Sequence, residues 1–268
     1  MKVVRLLAAC AVLGLGSSAY ASGSGAHWSY EGSAGPDKWA SLGYPHCKGS
    51  NQSPIDIKHA SMTEMDDISF SYKSTSLNAV NNGHTVQFNY DSGSTITVAG
   101  KSYSLLQFHF HSLSEHTVGG LHSSMEMHLV HKASDGTLGV VGVFLQPKTD
   151  AGHGNGHGSD SDPWETVFGA LPGASGLKLS GSQSFNANDL LPHTRSYYHY
   201  SGSLTTPPCS EGVNWFVLQE PVRIDAKKLA RFQSIFDSNY RPVQPLNSRH
   251  LYEKDSNGTQ AGNSGGHH

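Results

Sequence analysis

From Ile68 onward the chain alternates apolar and polar residues in short runs broken by turn residues. Ile68-Ser69-Phe70-Ser71-Tyr72 alternates, Asn81-Asn82-Gly83 marks a turn, and Val86-Gln87-Phe88-Asn89-Tyr90 alternates again. Asp91-Ser92-Gly93 then predicts a reversal into Thr95-Ile96-Thr97-Val98, which ends at Gly100. A period of two is the signature of half-buried strands, and the runs predict an antiparallel meander. Leu138 to Leu145 is nearly continuous in apolar residues and predicts a central strand buried on both faces. Helical signals are few. Pro163-Trp164-Glu165 opens a short helix through Leu171. Asp225 to Phe236 predicts the one long helix, capped by Asp225 and with Leu229, Phe232 and Phe236 on one face. Trp28-Ser29-Tyr30 and Trp39 predict an aromatic N-terminal segment tucked against the body. With no internal repeat and no linker, the pattern gives one β-dominated domain with peripheral helices.

Composition narrows the classes. The 268 residues suffice for one sizeable core, and a net charge of −3 leaves no basic footprint for nucleic acid. The start reads as an export signal over residues 1–21: Lys2 and Arg5, an apolar run from Leu6 to Leu15, and an Ala19-Tyr20-Ala21 cleavage site. That run is too short to span a bilayer. Leu7-Ala8-Ala9-Cys10 imitates a lipoprotein box, but it comes too soon after Arg5 and apolar sequence continues past it. Cleavage after Ala21 removes Cys10 and leaves Cys47 and Cys209, an even pair that in an exported chain reads as a disulfide. The body then spans residues 22–254. The Ser/Asn/Gly-rich stretch 255–268 reads as a disordered tail, and the loop 149–162, with His153 and His157, as a solvated insertion.

The candidate chemistry lies in Gln107-Phe108-His109-Phe110-His111 and Glu126-Met127-His128-Leu129-Val130. On a strand, Gln107, His109 and His111 share one face, and Glu126, His128 and Val130 share a face of the second run. His109 and His111 would sit about 200° apart around a helix, but their Cα atoms lie roughly 6.6 Å apart on a strand, close enough to converge on one ion. Imidazoles without a nearby cysteine suit Zn2+, and three of them leave a fourth position open for water, whereas a structural site is normally closed by four ligands. Gln107 and Glu126 each stand two residues before a histidine, placed to accept its other ring N–H.

These runs, with Ser114-Glu115-His116, Glu126 to His131, Ser203-Leu204-Thr205-Thr206-Pro207-Pro208-Cys209, Asn82-Gly83-His84, Gln52-Ser53-Pro54 and Tyr240-Arg241-Pro242, resemble the α-class carbonic anhydrases of the exported bacterial type. The resemblance covers about residues 27 to 253. It implies a mainly β (α+β) single domain with a large twisted, mostly antiparallel central sheet and short peripheral helices. It implies zinc on His109, His111 and His128, with the Asn239 carbonyl as acceptor for His111. The implied reaction is reversible hydration of CO2 to bicarbonate and a proton, by attack of zinc-bound hydroxide on CO2. Thr205 would be the gate that donates to Glu115, Thr206 would order water in the cleft, and His84 would shuttle protons. Val130, Val140, Leu204 and Trp215 would wall the CO2 pocket. The implied partners are CO2 and bicarbonate, with no nucleic acid and no membrane span, in a periplasmic or secreted monomer or homodimer. The rival readings are a catalytically inactive binding module of the same fold and a periplasmic zinc buffer. The presence of all three histidines, Glu115 and Thr205 argues against the first.

Overall fold

The computed structural model describes residues 26–148 and 162–254. The export signal with Lys2 and Arg5, the histidines His153 and His157, and the tail 255–268 lie outside the described residues. In chain order the first strands are β1 (Asp56–Ile57), β2 (Ser61–Met62), β3 (Ser69–Ser71), β4 (Thr75–Asn81), β5 (Val86–Asn89), β6 (Thr95–Val98) and β7 (Lys101–His111). They continue with β8 (Thr117–Val118), β9 (Leu121–His122), β10 (Met125–Ala133), β11 (Leu138–Pro147), β12 (Lys178–Phe185), β13 (Tyr197–Ser203), β14 (Glu211–Ile224) and β15 (Tyr252–Lys254). Among the described residues the helices are α1 (Pro163–Gly169) and α2 (Ala226–Gln233), beside short 3-10 turns.

Twelve strands form one sheet whose main path runs β12-β4-β5-β7-β10-β11-β14-β13-β15-β2, and β1, β8 and β9 form a smaller one. Most pairings in the large sheet are antiparallel, but β11 with β14 and β15 with β2 are parallel. The expected meander from Ile68 to Ser104 is not what forms. β5 and β6 do not pair with each other; both lie antiparallel to the long β7, one on each half of it. Asp91-Ser92-Gly93 therefore redirects the chain along β7 instead of reversing it into a hairpin. The Asp91 carboxylate accepts from the Thr75 hydroxyl at 2.9 Å, and that bond fastens the bend to β4.

Alternation places the two faces of the sheet in two separate cores. Phe108, Phe110, Met125, Met127 and Leu129 pack on one face beneath Trp164, Val167 and Phe168 of α1 and Leu229 and Phe232 of α2. Val130, Val140, Phe144, Trp215 and Val217 pack on the histidine side. β11 feeds both, with Val141, Val143 and Leu145 in the first core and Val140 and Phe144 in the second, as its unbroken apolar run predicted. Each phenylalanine buried here stabilises the fold by roughly 1.5–3 kcal/mol. Asp225 caps α2 through the Lys227 N–H at 2.8 Å. The helix ends at Gln233, three residues before the predicted limit, while Phe236 still packs on the first core. α1 likewise stops at Gly169 instead of Leu171. The N-terminal aromatics form a third cluster, in which Trp39 is packed with Cys47 and Cys209 and flanked by Trp28 and Tyr30.

His131 shows how the interior titrates. It is fully buried, 2.7 Å from the Tyr72 hydroxyl and 3.3 Å from the Gly139 carbonyl. Burial pulls its pKa down to about 3 against the opposing pull of the Gly139 and Leu129 carbonyls. Above pH ~6.5 the ring is neutral in both the folded and the unfolded chain and contributes nothing. Below that pH only the unfolded chain takes up the proton, so stability falls progressively toward pH 3. We expect His131→Gln to remove one proton's worth of slope, about 1.4 kcal/mol per pH unit, from stability measured by urea unfolding between pH 6 and 4. An unchanged slope would refute the assignment.

Candidate metal centre

Register puts the histidines together. β10 pairs antiparallel with β7 so that His128 faces His109 and Glu126 faces His111, before a bulge at Val130/His131. The ring centroids lie 5.0 Å (His109–His111), 5.4 Å (His109–His128) and 4.6 Å (His111–His128) apart. One nitrogen from each ring falls within 4.8 Å of the other two.

The remaining nitrogens are held. His109 Nδ1 donates to Gln107 Oε1 at 2.9 Å, His111 Nδ1 to the Asn239 carbonyl at 2.7 Å, and His128 Nε2 to Glu126 Oε1 at 2.9 Å. The free donor set is therefore Nε2 of His109, Nε2 of His111 and Nδ1 of His128. Nε2 of His111 is buried and has no hydrogen-bond partner, which is costly unless something fills the site. Burial, followed by the charges of the neighbouring histidines, pushes the His109 pKa well down. Burial also lowers that of His111, so both rings are neutral near pH 7, as metal ligation requires. Three convergent imidazoles with oriented tautomers fit a tetrahedral cation such as zinc.

Glu126 carries more than the i+2 spacing indicates. Its Oε1 accepts from His116 Nδ1 at 2.7 Å as well as from His128, and its Oε2 accepts from the His116 N–H at 2.8 Å. Burial alone would raise its pKa, but the interactions with His116 and His128 hold it well below the usual carboxylate range. His116 in turn lies 2.7 Å from the Tyr200 hydroxyl, which donates to Ser53 Oγ at 2.9 Å. Gly142, opposite His128 on β11, leaves room for this carboxylate: a Cβ there would lie 2.9 Å from Glu126 Oε1. Sequence reasoning gave no role to His116, Tyr200 or Gly142. The signal for His116 was present in Ser114-Glu115-His116, but its partners depend on packing.

Glu115 is fully buried, with its carboxylate 3.5 Å from His111 Nδ1 and 3.8 Å from His128 Nδ1. Oε1 accepts from the Arg241 N–H at 2.8 Å, and Oε2 has no hydrogen-bond partner. The implied bond from Thr205 to Glu115 is thus not formed here, although Thr205 is buried. Thr206 sits in the turn that follows, where its carbonyl accepts from the Cys209 N–H at 2.8 Å. Val130, Val140 and Trp215 are buried in the second core with Leu204 packed against them, and the Trp215 ring lies 4.8 Å from that of His128. Trp215 thus sets one apolar ring against the histidine site.

His84 follows the Asn82-Gly83 turn, with its N–H donating to Asn82 Oδ1 at 2.9 Å. Its ring stacks on Trp28 at 3.7 Å and has His27 at 6.4 Å. Burial, then the His27 charge, lowers its pKa below that of a free imidazole. Cys47 and Cys209 are joined in a disulfide, as the even pair predicted.

A family model described as eukaryotic-type carbonic anhydrase matches residues 34–255. The chain is 39% identical over 253 residues to a carbonic anhydrase of Neisseria gonorrhoeae, covering 92% of this chain and 94% of that protein. Among solved structures it is similar to the α-carbonic anhydrase of Thermovibrio ammonificans in complex with the inhibitor sulfanilamide. That match has a TM-score of 0.78 and 42% identity, over 85% of this chain and 99% of the other. The Photobacterium profundum α-carbonic anhydrase matches with a TM-score of 0.77 and 38% identity, over 85% of this chain and 100% of that one.

Proposed function

Because this chain belongs to the eukaryotic-type (α) carbonic anhydrase family, and so to the lyases that hydrate CO2, we propose that it works as an exported zinc enzyme on the three-histidine site. The observation that carries this reading is the buried, unpartnered Nε2 of His111, set among three ring nitrogens within 4.8 Å while their other nitrogens are held. His109, His111 and His128 would hold the ion. Zinc bound there would supply an acidified water as a nucleophile at neutral pH.

The rest of the work falls to the chain. Val130, Val140, Leu204 and Trp215 offer CO2, which is small and apolar, a wall without charge. Glu115 Oε2 needs a donor, and the Thr205 hydroxyl is the group assigned to it. Having donated its one proton to Glu115, Thr205 can only accept, and this orients the nucleophile's lone pair toward the CO2 carbon. Thr206 orders water beside it. Water and CO2 give bicarbonate and one proton, and the proton leaves through His84. No helix among the described residues is long and apolar enough to cross a membrane, and the Cys47–Cys209 disulfide supports an oxidising, exported location.

Stopped-flow CO2 hydration on the purified, chelator-stripped and zinc-restored protein tests the reading. Activity that disappears with the metal and returns with zinc is expected, and zinc uptake without hydration would favour the binding module or the zinc buffer. For His84→Ala we expect kcat to fall by about tenfold or more in weak buffer, with partial rescue by added imidazole and kcat/KM near wild type. The midpoint of kcat against pH in wild type should lie below ~6.5, because the His84 pKa is lowered. If kcat and kcat/KM fall together and imidazole does not help, His84 is structural.

A further inference from the structure

The side chains of Gln52 and Arg241 have no role in the chemistry above, yet Gln52-Ser53-Pro54 and Tyr240-Arg241-Pro242 meet beside Glu115. Arg241 is 2% exposed and lies over the Trp39 ring at 5.5 Å. Its Nη1 donates to Gln52 Oε1 at 2.9 Å and to the Ser53 carbonyl at 2.8 Å, and its Nη2 donates to the Cys47 carbonyl at 2.9 Å. These acceptors are all neutral, so the fork is fixed by geometry and not by a carboxylate. The backbone N–H of the same residue donates to Glu115 Oε1 at 2.8 Å. Gln52 works in the other direction. Its Nε2 donates to the Cys209 carbonyl at 3.2 Å, and Cys209 closes the turn that begins at Thr206.

We propose that Arg241, together with Gln52, is the positioning pair of the reaction: one contact fixes the Glu115 carboxylate and the other the Thr205–Cys209 loop, and so sets the approach of hydroxyl to carboxylate. This rests on the gate role given to Glu115 and Thr205 above. An arginine is required because a lysine keeps the charge but cannot offer a planar fork to Gln52, Ser53 and Cys47 together. Neither side chain touches the reacting atoms; both act through Glu115 and the loop.

The test is a double-mutant cycle. We expect Arg241→Lys to lower kcat/KM for CO2 by about tenfold, with a smaller change in kcat, which proton release limits. In a Glu115→Gln background the same substitution should cost little more, since the group it positions is already lost. An equal factor in both backgrounds, or undiminished kcat/KM, overturns the proposal. Gln52→Ala carries the same cycle if Arg241→Lys does not fold. Amide exchange at Arg241 gives a readout independent of catalysis. Its N–H should exchange about tenfold faster in Gln52→Ala, because its bond to Glu115 is loosened, and unchanged protection overturns the inference. A wild-type protein that hydrates no CO2 would defeat the proposed function, and amide exchange alone would then decide the positioning role.

Discussion

His128→Ala is expected to abolish CO2 hydration and to lower zinc affinity by well over about 100-fold, since loss of an outer hydrogen-bond partner alone costs about 10–100-fold. His128 sits directly across from His109 and supplies the one nitrogen that reaches the site from β10. Two imidazoles from one strand leave an ion with half a tetrahedron. The fold should survive, because Glu126, the partner of His128, keeps both of its bonds to His116. Metal analysis after dialysis, with circular dichroism as a control, checks both parts. Full activity in metal-free wild type would sink the assignment of the site.

Reduction of Cys47–Cys209 should produce the largest change in stability. The bond joins residues separated by 162 positions, and the chain-entropy treatment of so long a loop gives roughly 5 kcal/mol at most. That is a large share of the about 5–15 kcal/mol by which domains are stable. The bond also lies in the aromatic cluster around Trp39, where the Cys47 carbonyl receives Arg241 and the Cys209 carbonyl receives Gln52. These hydrogen bonds and the packing hold the loop near its place when the bond is cut. We therefore expect Tm to fall markedly on reduction, while activity at room temperature falls less. Two free thiols in the unreduced, denatured mature protein would refute the bond in solution, and an unchanged Tm would refute its contribution.

The chain by itself determined the strands and the faces they present. A period of two puts His109, His111 and Gln107 on one side of β7 and Phe108 and Phe110 on the other wherever that strand is placed. The same rule sets Gln107 beside His109 and Glu126 beside His128, since neighbours two apart on a strand share a face. Local spacing could not place β5 and β6 on the same partner, because strand pairing depends on where a long β7 is free to accept edges. Nor could it choose Nδ1 of His128 over Nε2: the choice follows from the position of Glu126, which is itself held by His116. The acceptor for His111 is a backbone carbonyl 128 residues away, which no spacing rule names and only the family resemblance pointed to. The lowered pKa of His84 comes from burial beside Trp28, and the grip of Arg241 on Cys47, Gln52 and Ser53 from a loop nearly two hundred positions distant. Alternation is a property of the backbone and travels with the sequence, whereas a hydrogen bond between distant groups exists only once packing has brought them within about 3 Å.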